Sequence, residues 1–339
     1  MSPTVDVVHV VCTDAFAGVE RYVATVAREQ DSRGMVVRVL GGDPARMRSE
    51  LAGTDVAWDE SPTPWQAVRA LRRLRMVSLV HAHMTDAETA AVVSGRAPVV
   101  CTRHFSGTRG SSLPARAVGR FVSEHIAGQV AISEFVARSI EGPSTVIHPG
   151  VESAPDRQPG REPVVLIAQR LEAEKRTDLG LQMWAASGLA ARGWQLKVAG
   201  TGSRHNDLVR LAAELGVTDS VHFLGPRSDV AELLARASVF LAPRPDEPYG
   251  LSVVEAMAQG TPVVAAAGGG HDETVGSSNG AVLVPASNPV AAGAVLADLA
   301  ADSERCAQYG AELRDLQRRR FTVGTHVNGL EAFYRSVLA

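Results

Sequence analysis

The chain has 339 residues, 45% hydrophobic and 21% charged. That is enough for two domains of ordinary size, each with its own core. Net charge is −3, from 34 basic and 37 acidic residues. The basic excess of a nucleic-acid binder is absent, and no nucleic-acid partner is expected. Cys12, Cys101 and Cys306 are too widely spaced for a disulfide scaffold or a C-x-x-C metal site. The opening MSPTVDVVHVVC has neither a basic start nor a long apolar run, so no signal peptide is expected. No window approaches the roughly 18 apolar residues of a spanning helix, and the expected location is the cytoplasm.

Short β-branched runs alternate with longer Ala- and Arg-rich stretches. In the first half, strands are predicted at 5–11, 36–42, 77–83, 98–104, 128–133 and 144–150, with helical segments such as VERYVATVARE and WQAVRALRRLR between them. The second half repeats the plan, with strands at 163–170, 196–200, 221–225, 238–243, 261–267 and 280–285. Its helices are predicted through 177–190, 205–215, 228–237, 251–259 and 289–301, and a final helix near 325–338. Near-continuous apolar strands alternating with helices mean parallel sheets covered on both faces, so the expected fold class is α/β with two doubly wound Rossmann-like domains. The boundary falls in ESAPDRQPGREP (152–163), rich in Pro and charge. The expected domains are 1–152 and 160–321. Open α/β sheets bind ligands at their strand carboxyl ends, so the two are expected to face one another across a cleft.

The most informative stretch is PRPDEPYGLSVVEAMAQGTPVVAAAGGGHDETV (243–275). Glu247 and Glu255 stand eight residues apart. Between them Pro248-Tyr249-Gly250 turns the chain and Leu251-Ser252-Val253 opens a helix. The first amides of a helix lack internal partners and carry positive partial charge, so Gly250, Leu251 and Ser252 suit a diphosphate. Glu247, in the loop, can accept hydrogen bonds from sugar hydroxyls, and Glu255 can accept them from a ribose.

E-x₇-E within E-P-Y-G-L-S-x-x-E-A-M-A-x-G-T-P-V-V, followed by a Gly-rich segment with Glu273, resembles the signature of the retaining glycosyltransferases of family 4, which have the GT-B architecture. The resemblance implies that Glu247 binds the transferred sugar and Glu255 the nucleotide ribose. IAQRLEAEKRTDLGL (167–181) is similar to the family's G-R-L-x-x-x-K-G segment, in which Arg170 and Lys175 would grip the donor diphosphate; two cations there stabilise a leaving phosphate without a metal. Lys175 is one of two lysines in an Arg-dominated chain, the other being Lys197. Gln169 and Arg176 depart from the pattern, standing where the family usually has Gly.

Further matches follow the same order as in the family. VHFLGPRSDV (221–230), with Arg227, resembles the strand and turn where the base stacks. Ala17-Gly18-Val19-Glu20-Arg21 resembles the G-G-x-x-R loop, so that Gly18 would let the backbone approach the diphosphate or acceptor. Cys101-Thr102-Arg103-His104 resembles T-x-H, whose His points at the donor sugar. His81 and His83 resemble V-x-H-x-H and are expected to be structural or on the acceptor side. The final helix (322–339) is expected to return to the first domain.

The resemblance implies retaining transfer of a hexose-type sugar from a nucleoside-diphosphate sugar to a small-molecule or lipid acceptor, with no metal. It also implies front-face attack in which the leaving phosphate helps deprotonate the acceptor. Three alternatives stay open. Gly200-Thr201-Gly202 after a strand resembles a dinucleotide fingerprint lacking its third glycine, since position 205 is His205. A nucleotide-sugar 2-epimerase and a non-catalytic nucleotide-sugar-binding protein fit the same fold. Arg69, Arg72, Arg73 and Arg75, with Arg116 and Arg120, read as solvated helix faces, or as peripheral contacts with the inner face of an anionic membrane.

Overall fold

The computed structural model describes residues 5–110, 112–155 and 160–339. Of the expected linker, 156–159 lie outside them. The elements run β1 (Val5–Val10), α1 (Gly18–Ser32), β2 (Val37–Leu40), α2 (Pro44–Glu50), β3 (Ala57–Asp59), α3 (Pro64–Arg73), β4 (Val77–His83), α4 (Thr85–Ser94), β5 (Val99–Arg103), α5 (Leu113–His125), β6 (Gly128–Ala131), α6 (Glu134–Ala137) and β7 (Thr145–Val146). They continue with β8 (Glu162–Ala168), α7 (Thr177–Ser187), β9 (Gln195–Ala199), α8 (His205–Glu214), β10 (Val221–Gly225), α9 (Val230–Arg236), β11 (Ala237–Ala242), α10 (Leu251–Ala258), β12 (Val263–Ala266), β13 (Val282–Val284), α11 (Pro289–Ala301), α12 (Ser303–Arg320) and α13 (Val323–Leu338).

The chain divides into two compact units, Met1–Pro149 with Val323–Ala339, and Gly150–Thr322. Each holds one all-parallel sheet. The first has strand order β3-β2-β1-β4-β5-β6-β7 and the second β10-β9-β8-β11-β12-β13. Both are doubly wound Rossmann-like sheets. In each, strand order reverses beside the unit's first strand, at β1/β4 and at β8/β11, and it is there that such sheets bind ligands.

In the first unit the valine runs bury both sheet faces, as a parallel sheet under helices requires. Val7, Val39, Leu79, Val100 and Val130 pack with α1 and with Val327, Leu330 and Tyr334 of α13. Val8, Val10, Val80 and Cys101 pack on the opposite face with residues of α3 and α4. Register pairs His9 with His81 and His83 with Thr102. Side chains alternate faces with period two. The Val7, Leu79 and Val100 face therefore changes, toward the strand carboxyl ends, into His9, His81, His83 and Thr102.

In the second unit Arg161 ties the sheet base to two helix ends. Its guanidinium donates to the carbonyls of Leu234 (3.4 Å), Ala235 (3.3 Å) and Ala237 (2.6 Å), and to those of Gln259 (3.1 Å) and Gly260 (2.6 Å). Lys197 pairs with Glu162 at 3.2 Å, at the amino end of β8.

The structure differs from expectation at three elements. The strand expected at 144–150 is confined to Thr145–Val146, since Pro143 and Pro149 bracket it. Strand β3, three half-buried residues at the sheet edge, was not expected. Neither was α12, whose 18 residues include RDLQRRR and bury little beyond Tyr309, Leu313 and Leu316; such a helix shows no broad apolar stripe.

Candidate active site

In the second unit, the residues singled out around 170 and 247 lie on loops that leave the carboxyl ends of β8 and β11, at the strand-order reversal. Lys175 Nζ donates to Glu247 Oε2 at 2.8 Å and Oε1 at 3.1 Å. Both side chains are mostly buried, 18% and 14% exposed, so the pair is shielded and still reachable. Arg244 adds a second cation, its Nη1 3.8 Å from Glu247 Oε2.

The Gly-rich segment explains how Glu247 is held. Gly270 N–H donates to Glu247 O at 2.7 Å. A Cβ on Gly269 would lie 2.5 Å from that oxygen and 2.9 Å from Glu247 N. Glycine here permits backbone-to-backbone packing that no side chain allows.

Gly250 has φ +89° and begins α10. Val253 N–H and Val254 N–H both return to Gly250 O. The N–H groups of Gly250, Leu251 and Ser252 have no acceptor among the described residues, and no side chain caps the helix. An uncapped turn of this kind favours an anion. Glu255 is half-buried one turn further on. His271, which sequence reasoning missed, sits behind the turn. Its Nδ1 donates to Ala266 O at 2.9 Å, and burial lowers its pKa, so the ring is a neutral Nδ1–H tautomer.

The two departures from the glycine pattern have physical counterparts. Gln169 Nε2 donates to Lys175 O and to Thr177 Oγ1, both at 2.9 Å, closing the 169–177 loop with a side chain. Arg176 adopts φ +51°, ψ 38°, left-handed backbone that glycine takes without strain.

Other residues singled out are less integrated. Arg170 is 59% exposed and pairs with Glu174 at 2.7 Å. Arg227 is bound to Asp229, with Nε 2.7 Å from Oδ1. Gly200 is explained by packing, since a Cβ there would lie 1.9 Å from Gln169 O.

In the first unit, Gly18 opens α1 with nothing within 4 Å of the position a Cβ would take. The preceding Ala17 N–H is capped by Glu20 Oε2 at 2.7 Å. His104 follows β5, partly exposed, and terminates a string of buried rings. Its Nε2 is 3.1 Å from His83 Nδ1; His83 Nε2 is 3.1 Å from His9 Nδ1; His9 Nε2 is 2.8 Å from Gln30 Oε1. His81 lies between Tyr334 Oη (2.6 Å) and Thr102 Oγ1 (2.8 Å). His326 lies between Tyr22 Oη (2.7 Å) and the carbonyl of His148 (2.8 Å).

Burial holds these imidazoles neutral. It pushes His9 and His326 down to about 4 and His104 down to about 3, and takes His81 and His83 well below the ordinary histidine value. His9, His81 and His83 are close enough together to resemble a metal set. However, both nitrogens of each ring are already hydrogen-bonded, so a cation would have to break that network. His9, Tyr22, Gln30, His326 and Tyr334 escaped sequence reasoning. The one available signal was a lone histidine inside the apolar run of β1.

Arg69, Arg72 and Arg73 lie on α3. Arg72 donates to Val93 O at 2.9 Å, and Arg120 on α5 pairs with Glu124 at 3.3 Å. No helix among the described residues is long and apolar enough to cross a membrane.

Residues 152–315 match the model of glycosyl transferases group 1, and residues 16–154 that of glycosyltransferase family 4. The D-inositol 3-phosphate glycosyltransferase of Mycolicibacterium vanbaalenii is 34% identical over 256 residues, covering 67% of this chain and 55% of that protein. That of Salinispora tropica is 39% identical over 140 residues, covering 40% of this chain and 28% of that protein. The aligned stretches thus span about half of these curated relatives or less. The crystal structure of Anabaena Alr3699/HepE in complex with UDP has a TM-score of 0.79 at 17% identity, covering 98% of this chain and 100% of that chain.

Proposed function

We propose that this chain, a member of the GT-B glycosyltransferases by fold and family models, is a retaining enzyme that moves a hexose-type sugar from a nucleoside-diphosphate donor to a small-molecule or lipid hydroxyl without a metal. The observation that carries the reading is the Lys175–Glu247 pair at the β8/β11 reversal, close in sequence to the uncapped start of α10. In this reading the amides of Gly250, Leu251 and Ser252 take phosphate oxygens, Glu255 takes the ribose, and Glu247 orients the sugar. Lys175 has three N–H donors. Two face Glu247 and the third serves the diphosphate, with Arg170 as the outer cation. Arg227 and Gly200 border the base, and Gly18 and His104 serve the first unit's ligand.

The bond from the anomeric carbon to the diphosphate breaks as the acceptor oxygen bonds the same face. The departing phosphate oxygen takes the acceptor proton. Preorganised cations and amides lower this barrier because charge grows on the leaving group in the transition state.

UDP in the Anabaena structure supports testing UDP-sugars first, and the inositol phosphate relatives support phosphorylated polyols as the first acceptors. The test begins with thermal stabilisation of the full chain by UDP, GDP, TDP, ADP, their sugar conjugates and NAD(P), since binding to the native state raises its stability. A shift with one nucleoside diphosphate, followed by an acceptor-dependent product of unchanged anomeric configuration, is the expected result. A shift with NAD(P) alone would establish the dinucleotide reading of Gly200 and Gly202. Donor conversion without acceptor would establish the epimerase, and binding without turnover a non-catalytic protein. Expected activity in a fraction bound to anionic vesicles would establish the peripheral membrane site.

A further inference from the structure

The ring string of the first unit has a direction. A neutral imidazole carries one N–H donor and one lone pair, so rings joined nitrogen to nitrogen must run head to tail. Gln30 Oε1 can only accept, so the proton on His9 is on Nε2. His9 Nδ1 then accepts, so His83 carries its proton on Nε2. His83 Nδ1 accepts in turn, so His104 carries its proton on Nε2.

The amide of Gln30 is itself oriented. Its Nε2 faces Tyr334 Oη at 3.5 Å. That hydroxyl is then free to donate to His81 Nδ1 (2.6 Å), and His81 Nε2–H donates to Thr102 Oγ1 (2.8 Å). A separate anchor acts on the far side, where the carbonyl of His148 accepts from His326 Nδ1–H, leaving His326 Nε2 to accept from Tyr22. Every ring nitrogen in these strings thus finds a partner of opposite role. The exception is the last one, His104 Nδ1, which has no partner among the described residues.

We infer that Gln30, His9 and His83 are positioning residues that hold His104 in a single tautomer, proton on Nε2 and lone pair on Nδ1. His104 is the ring in this string that is partly exposed, so the fixed lone pair is presented where a ligand can reach it. Nδ1 accepts a hydrogen bond from a ligand hydroxyl and does not donate one. A carbonyl or ether oxygen at that position is disfavoured, because two acceptors would meet. Turning the Gln30 amide over would reverse all three rings and make His104 Nδ1 a donor. One side-chain amide three links away therefore sets the hydrogen-bonding sign of the last ring. The assignment of a sugar hydroxyl to that ring rests on the proposed transfer reaction, whereas the tautomer does not.

The test reads the tautomer in the ligand-free full chain. Histidine is labelled with ¹⁵N, and two-bond ¹H–¹⁵N correlations are recorded at neutral pH, with the His104 signals identified by their loss in His104→Asn. The expected spectrum has a protonated Nε2 and an unprotonated Nδ1 for His104, His83 and His9. Gln30→Met removes the anchor, and the two tautomers of His104 should approach comparable populations. Gln30→Glu, of the same shape and able only to accept when ionised, should preserve the wild-type pattern in that form. A wild-type His104 with its proton on Nδ1, or in fast exchange between tautomers, overturns the inference, as does an unchanged His104 pattern in folded Gln30→Met. The wild-type spectrum decides the direction even if a variant fails to fold. A chain with the expected tautomer and no transferase activity would count against the proposed function and leave this inference standing.

Discussion

Lys175 Nζ stands within hydrogen-bond distance of both carboxylate oxygens of Glu247, and the contact joins two loops that are 72 residues apart in sequence. One side chain faces the diphosphate and the other the sugar in the proposed reaction, so the donor's two halves would be read by a coupled pair. Lys175→Met and Glu247→Gln are each expected to lower the transfer rate by about 10²–10³, the usual cost of removing one electrostatic contact to a transition state. Their cost in stability should be about 1–2 kcal/mol, because the pair is shielded but not sealed from water. Product formation measured beside urea unfolding separates the two effects. Wild-type turnover in either folded variant would remove that residue from the mechanism.

Arg176 occupies left-handed backbone without being glycine. Arg176→Gly should therefore stabilise the chain by about 0.5–1 kcal/mol, the strain relieved less the extra freedom glycine gives the unfolded state. Its pairing with Asp178 at 3.2 Å is half-exposed and subtracts little. A lower midpoint for the variant in urea would show that the loop closure by Gln169 depends on the arginine.

Acid should unfold the chain through its neutral histidines. His9 and His326 titrate near 4 when folded, below the 6.5 or so expected of the unfolded chain. Between these values the unfolded state binds more protons, so stability rises with pH. The full contribution is present above about pH 6.5 and is lost as pH falls toward 4, at up to about 3 kcal/mol per ring. Urea midpoints measured from pH 7 to pH 4.5 should fall steadily. A flat profile would mean that these rings are solvated or already charged.

Arg161 gathers backbone carbonyls from the ends of α9 and α10. Arg161→Met keeps the aliphatic stem and strands those acceptors, and is expected to cost about 3 kcal/mol or more. Nucleotide binding by the surviving folded fraction should be unchanged, since the residue sits at the amino end of β8. Weakened binding at saturating folded protein would indicate that α10 has shifted.

The two sheets were legible because runs such as VVLIA and SVFLA can be buried on both faces and bounded by turn residues. β3 was not, because three residues at an edge carry no period. The E-x₇-E block and Lys175 were readable as motifs. Their contact was not, since it depends on two loops returning to neighbouring strands. The left-handed turn at Arg176 was visible only as a glycine that was missing. His9 was hidden for a different reason. Its partner His83 is brought to it by the pairing of β1 with β4, which sets His9 beside His81, and Gln30 is reached through α1, so the string exists only after the sheet and its covering helix have formed.

The hydroxyl of Tyr22 meets the ring of His326 across 304 residues of chain, and α13 supplies Val327, Leu330 and Tyr334 to the first unit's core. The second unit is built from one continuous stretch. On a translating ribosome the order of completion is therefore the reverse of the order of synthesis. Residues 5–149 emerge before the second unit and wait, with the part of the sheet face that α1 leaves to α13 still open, while the later-made unit can already close. Chaperone demand should fall on that interval, and a nonsense codon shortly before residue 323 would leave the histidine face open while sparing the Lys175–Glu247 pair.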